Sequence, residues 1–157
     1  MTLIDGKPTA SVDIHASGPR LLSEDYYIGF DLPDADDLYT HGLLSGLERD
    51  LTKKVIQAVI NGVSLTRKSW PKSFKDDAKT ALLVAGEDWM TYATAISETY
   101  PALLDIRKDL GLDLMLYESD IIIRAINYLL DKGIGCLSIH DYLIVPKDNV
   151  EDAKAAF

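Results

Sequence analysis

The chain has 157 residues, 47% of them apolar, and a formal charge of −9. That length suits one domain with a core of its own, and the charge opposes loose attachment to nucleic acid, which needs local positive charge. A single cysteine, Cys136, excludes an internal disulfide and makes a reducing cytoplasm the expected compartment; no run approaches the ~20 apolar residues of a membrane span, so no membrane partner is expected.

The start, Met1-Thr2-Leu3-Ile4-Asp5-Gly6, lacks the basic and apolar segments of a signal peptide. Asp5-Gly6 between short extended runs predicts a hairpin. Ala10 to Ile14 reads as a strand that delivers Asp13 to a sheet edge, and His15 to Arg20 breaks it before a short helical stretch at Leu21-Leu22. Glu24, Asp25, Asp31, Asp34, Asp36 and Asp37, interleaved with Tyr26, Tyr27, Phe30 and Tyr39, predict a solvated acidic surface over 23–40.

Leu43, Leu44, Leu47, Leu51, Val55, Ile56, Val59 and Ile60 repeat near helical spacing, which predicts a helix over 41–62. Arg49 and Lys53 share one of its faces, and Gly62 after Asn61 is a C-terminal stop. Arg67-Lys68 beside Trp70 suits stacking or phosphate contact, but a Trp packed inward is the expected reading. Further helices are predicted over 74–85 and 87–100, and from Pro101 at a first turn to Leu110. Residues 112–117 alternate and are expected to be extended; 121–132 form a helix that Lys132-Gly133 ends.

Leu137 to Ile139 and Leu143 to Val145 read as two strands, closed by Pro146. His140-Asp141 then sits at the bend between them. A carboxylate on an apolar hairpin must be solvated, paired or holding a cation; Asp13 is its expected partner in holding one. Lys147 onward begins a last helix. Two carboxylates from neighbouring strands suit a pair of Mg²⁺ or Mn²⁺ ions ~3.5–4 Å apart, which clamp the attacking and leaving oxygens of a phosphoryl transfer. A helix-borne Arg and Lys suit a triphosphate.

These features, in this order, resemble the palm and fingers of family A DNA polymerases and single-subunit phage-type RNA polymerases. Asp13 matches the metal-binding aspartate of the first motif, Arg49-x-x-x-Lys53 with Asn61-Gly62 the second, and His140-Asp141 the metal hairpin. The flanks Asp120 to Ala125 and Lys147 to Val150 also match. The resemblance implies an α+β fold: a small antiparallel palm-like sheet in a single minimal domain, with a mostly helical fingers-like insertion over about 41–112. It implies a template-directed or primase-like nucleotidyltransferase acting on nucleoside triphosphates and a primer–template. Asp13 and Asp141 would hold the metals, and Arg49 and Lys53 the triphosphate. His140 would orient the primer end or support Asp141; Gly18, Arg20 and Asn61 would lie around the nucleotide.

The chain departs from the family in three residues. Asn61 replaces an aromatic that stacks near the incoming base. Tyr142 stands where the family has an acid or a serine. Gly18 replaces the bulky residue that excludes a ribose hydroxyl, which implies tolerance of ribonucleotides. The length leaves no room for a thumb, so a partner protein or subunit is expected to supply one. The alternative expectation is a catalytically degenerate module that binds a nucleotide or a protein and regulates it; a plain α+β domain with chance motifs ranks last.

Overall fold

A computed structural model describes residues 2–13, 20–21, 37–106 and 110–157. The fold is α+β. Four strands among these residues, β1 (Leu3–Ile4), β2 (Lys7–Asp13), β3 (Leu137–Ile139) and β4 (Tyr142–Pro146), form an antiparallel sheet in the order β1-β2-β4-β3. The helices are α1 (Arg49–Ile60), α2 (Lys72–Asp76), α3 (Ala78–Val84), α4 (Trp89–Thr99), α5 (Leu110–Asp131) and α6 (Val150–Ala155), with 3-10 turns at Gly42–Gly46, Pro101–Leu104 and Lys147–Asn149. The chain divides into two compact units, one of Met1–Ser17 and Leu114–Phe157, the other of Gly18–Asp113.

The first unit holds the sheet. Ile4 pairs with Lys7, leaving Asp5-Gly6 as a two-residue loop. Both loop residues have positive φ, +51° and +74°, which is the type I′ turn that Asp-Gly favours. A two-residue loop also closes the second hairpin, where Ile139 pairs with Tyr142 around His140-Asp141. Strands β2 and β4 join the two hairpins, with Val12 opposite Leu143 and Ala10 opposite Val145. Side chains alternate across a strand. Val12, Leu143 and Val145 therefore share one face, where they pack with Ile122, Ala125 and Leu129 of α5 and Ala153 of α6.

The second unit is helical among its described residues. Its buried residues include Leu44, Leu51, Val55, Ile56, Trp89, Tyr92 and Ile96. Helix α4 packs on the turn at Gly42–Gly46, and α1 packs on α3 and α4. The Tyr100 hydroxyl donates to the Leu38 carbonyl at 2.6 Å, anchoring the segment before α1.

Helix ends follow local chemistry. At the end of α5, Gly133 N–H donates to the Leu130 carbonyl and Ile134 N–H to the Leu129 carbonyl, the paired bonds of a Schellman cap with Gly133 in the left-handed region. Gly62 and Val63 close α1 the same way on Val59 and Ala58.

Four expected elements differ. The helix expected from Pro101 to Leu110 is a 3-10 turn at Pro101–Leu104, and residues 107–109 lie outside the described ones. The helix expected over 41–62 is a 3-10 turn followed by α1, because the Glu48 carboxylate accepts the N–H groups of Asp50 and Leu51 and starts a new helix. The helix expected over 74–85 is broken at Asp77, whose carboxylate accepts both the N–H and the hydroxyl of Thr80. Residues 112–117 are helical, not extended. Leu and Met favour helix, and Leu110 and Leu114, one turn apart on α5, are both buried.

Two tests follow from the packing. Leu129 is fully buried (0% exposed), so Leu129→Ala is expected to lose about 2–5 kcal/mol, read as a lower urea midpoint at unchanged slope. Burial raises the Tyr100 phenol from 10.0 to about 12. The folded state thus holds the phenolic proton more tightly than the unfolded chain. Its contribution is intact below about pH 10 and is lost as pH rises through about 12. Tyr100→Phe should cost about 1–3 kcal/mol at neutral pH and flatten that alkaline loss, which denaturation at stepped pH will read. Tyr39 and Tyr92, also raised by burial, keep their share.

Candidate functional site

Asp13 ends β2 opposite Tyr142, and Asp141 precedes Tyr142 in the β3–β4 turn. Paired residues of an antiparallel ladder lie about 4.5–5.5 Å apart and successive Cα atoms 3.8 Å, so the Cα atoms of Asp13 and Asp141 fall within about 9 Å. The pairing brings to one end of one sheet two exposed carboxylates from opposite ends of the chain.

Their side chains line different hollows. Asp13 lines a depression of about 400 Å³ with Thr9, Ser11, Tyr142 and Ile144, on the sheet face turned away from the core. Asp141 and His140 line a second, of about 510 Å³, with Ser138 and the flank of α5 that includes Glu118 and Ser119. The alternation of β4 explains this. Tyr142 shares a face with Asp13, and Asp141 lies just past the point where the chain turns. His140 takes the first turn position with φ of +53°, and Asp141 keeps an ordinary negative φ. That sign pattern belongs to a type II′ turn, where Gly is usual.

Arg49 and Lys53 belong to the other unit, where one face of α1 brings them together around the ring of Tyr39. The Arg49 guanidinium carbon lies 5.6 Å and the Lys53 Nζ 5.7 Å from the ring centroid, within reach of cation–π attraction. Arg49 Nε donates to Asp37 Oδ2 at 2.5 Å. The other Asp37 oxygen accepts the Tyr39 N–H at 3.0 Å. The Asp37 hydrogen bond raises the Arg49 pKa, with Asp50 adding to it. Burial raises the Tyr39 phenol, against the pull of Arg49.

Asp37 and Tyr39 are the residues that the sequence reading missed. It assigned both to a solvated acidic surface, yet Tyr39 is buried and Asp37 fixes a cation. Residues 23–36 of that stretch lie outside the described residues. No spacing signal joins Asp37 to Arg49, since the turn at Gly42–Gly46 intervenes. Tyr39 carried a fainter one, as an aromatic just ahead of the cations of α1.

Asn61 caps α1, its side-chain amide donating to the Gln57 carbonyl at 2.8 Å. A Cβ on Gly111 would collide with the Asn61 side chain, so the glycine permits this close approach. Arg20 is exposed on a helical backbone; Gly18 lies outside the described residues. Trp70 turns inward, with its indole N–H on the Glu87 carbonyl at 2.8 Å and its ring against Phe74, Trp89 and Tyr92. Arg67 and Lys68 remain exposed beside it.

The described residues hold no cluster of three or more His, Cys, Asp or Glu arranged for a metal ion, and no helix among them is long and apolar enough to cross a membrane. Oxygen donors from two aspartates have the hardness that Mg²⁺ selects. No family model matches the chain, and neither the curated proteins nor the solved structures contain a match to it.

Left-handed backbone costs a non-glycine residue about 1–2 kcal/mol, partly offset by the greater freedom of glycine in the unfolded chain. His140→Gly should therefore stabilise the fold by up to about 1 kcal/mol, measured by urea denaturation. A destabilised variant would mean that the imidazole holds the turn.

Proposed function

We propose that this chain is a minimal nucleotidyltransferase that extends or starts a nucleic-acid primer by two-metal phosphoryl transfer, on the plan of the polymerases it resembles. The reading rests on one observation: the β2–β4 register sets Asp13 beside the turn that carries Asp141. Both carboxylates are exposed, and each swings on rotatable χ1 and χ2. Divalent ions bound there would polarise the α-phosphate and steady the attacking and departing oxygens.

The remaining work belongs to the chain's own groups. In the other unit, Arg49 and Lys53 offer donors and positive charge suited to a polyphosphate, with the Arg49 fork suited to phosphate oxygens. Asp37 and Tyr39 restrict how those two side chains move before a nucleotide arrives, which lowers the ordering cost of binding. His140 orients the primer end or supports Asp141. A local subunit or partner protein with basic surface would hold the duplex that a −9 chain holds weakly.

A second reading is a nucleotide- or protein-binding module without catalysis. Two observations favour it. Arg49 is already engaged by a carboxylate, and Asp13 and Asp141 line separate hollows.

Primer extension separates the two. The purified chain, given primer–template, Mg²⁺ or Mn²⁺ and each nucleotide pool, should extend the primer. Asp13→Ala and Asp141→Ala should each lower the rate about a thousandfold or more, the scale of several kcal/mol of lost charge stabilisation. Arg49→Ala and Lys53→Ala should chiefly raise KM. Nucleotide binding with no extension under any template would favour the module; extension undiminished in both aspartate variants would sink the enzyme.

A further inference from the structure

Helix α5 carries two apolar seams, and the sheet covers one of them. Ile122, Ala125 and Leu129 face the core of the first unit. Leu116, Ser119, Ile123, Ile126 and Leu130 recur at alternating steps of three and four residues along a neighbouring face. This is the a/d pattern by which one helix seats another, knob into hole. The seam is open at three positions, with Leu116 71%, Ile123 54% and Leu130 56% exposed, while Ile126 is half-buried against the core. Scattered exposed apolar residues are ordinary, but a continuous row in helical register marks an interaction surface.

The hollow of about 510 Å³ lies on this seam. Its apolar wall is Met115, Ile122, Ile123 and Ile126, and Ser119 sets a small side chain in its midst. A bulky apolar knob from a second helix has room there. The hollow's rim is acidic, with Glu118 and Asp141 on it. Arg124, on the same helix, is paired with Asp120 at 2.7 Å.

We infer that this face of α5 is the seat of an amphipathic helix from a partner protein, with an apolar a/d row flanked by Lys and Arg. The charge selects this occupant. A second copy of the chain would set carboxylate against carboxylate in a molecule already at −9. An anionic membrane surface or a nucleic-acid backbone would meet the same repulsion. Basic flanks meet the acidic rim, steer the encounter and fix the register. The inference does not rest on the catalytic reading, although Asp141, which borders the hollow, also belongs to the proposed metal pair.

The test uses the full chain and two labelled synthetic helical peptides with the same leucine a/d row, one flanked by Lys and the other by Glu. Fluorescence anisotropy should show binding of the Lys peptide and none of the Glu peptide. Ile123→Asp should weaken the Lys peptide by at least about tenfold, the scale of a central interface anchor, although it adds a negative charge that would strengthen a merely electrostatic attachment. Leu82→Asp, a control at a residue 79% exposed in the other unit, should leave binding undiminished. Equal binding of both peptides overturns the inference, as does undiminished binding by Ile123→Asp. Self-association of the unliganded chain that Ile123→Asp abolishes would assign the face to a second copy and overturn it too.

Discussion

The pairing of β2 with β4 carries the sheet-bearing unit. It joins a hairpin at the start of the chain to one near its end through five registered pairs, Thr9–Pro146 to Asp13–Tyr142. Burial of Val12 against Leu143 and Val145 sets the parity, because a slip of one residue would turn those side chains to solvent and bring Ser11 and Asp13 into the core. Helix α5 lies on the apolar face so defined. The position of Asp13 beside the His140-Asp141 turn is thus a by-product of core packing, which holds it more firmly than any direct interaction between two exposed carboxylates would.

The cationic half of the candidate chemistry is organised differently. Arg49 and Lys53 are one turn apart on α1, so the helix alone makes them neighbours. Their setting comes from the segment before it. Tyr39 offers a ring to both cations, and Asp37 ties Arg49 to the Tyr39 backbone. Tyr100 secures this segment by its bond to Leu38. A carboxylate on Arg49 both orients it and offsets its charge, so the same contact serves a positioned phosphate ligand and a resting ion pair.

Helix α5 links the two proposals through its place in the fold. One seam completes the core under the sheet, and the other runs beside the hollow that Asp141 and His140 overlook. A partner helix seated there would come close to the β3–β4 turn. That gives a physical route by which association would bear on the carboxylate hairpin, through packing against Ser138 and the turn itself.

Much of the architecture was legible from short-range chemistry. Asp5-Gly6 announced its hairpin, Gly62 and Gly133 their helix ends, and the alternation around His140-Asp141 its two strands. Each rests on backbone preferences that a few adjacent residues settle among themselves. The break at Asp77 and the unbroken helix through Leu112 to Tyr117 were not legible. There a side-chain cap or a buried turn outweighed the apparent pattern. Farther still from view were the Asp37–Arg49 pair and the two faces on which Asp13 and Asp141 ended. Those depend on which distant segments pack together, and the residues that bring them into contact carry no local sign of their partners. The order of elements and the identity of the candidate groups were written in the chain, whereas the placement of Asp13 beside the His140-Asp141 turn arose only when burial of Val12, Leu143 and Leu129 joined its ends.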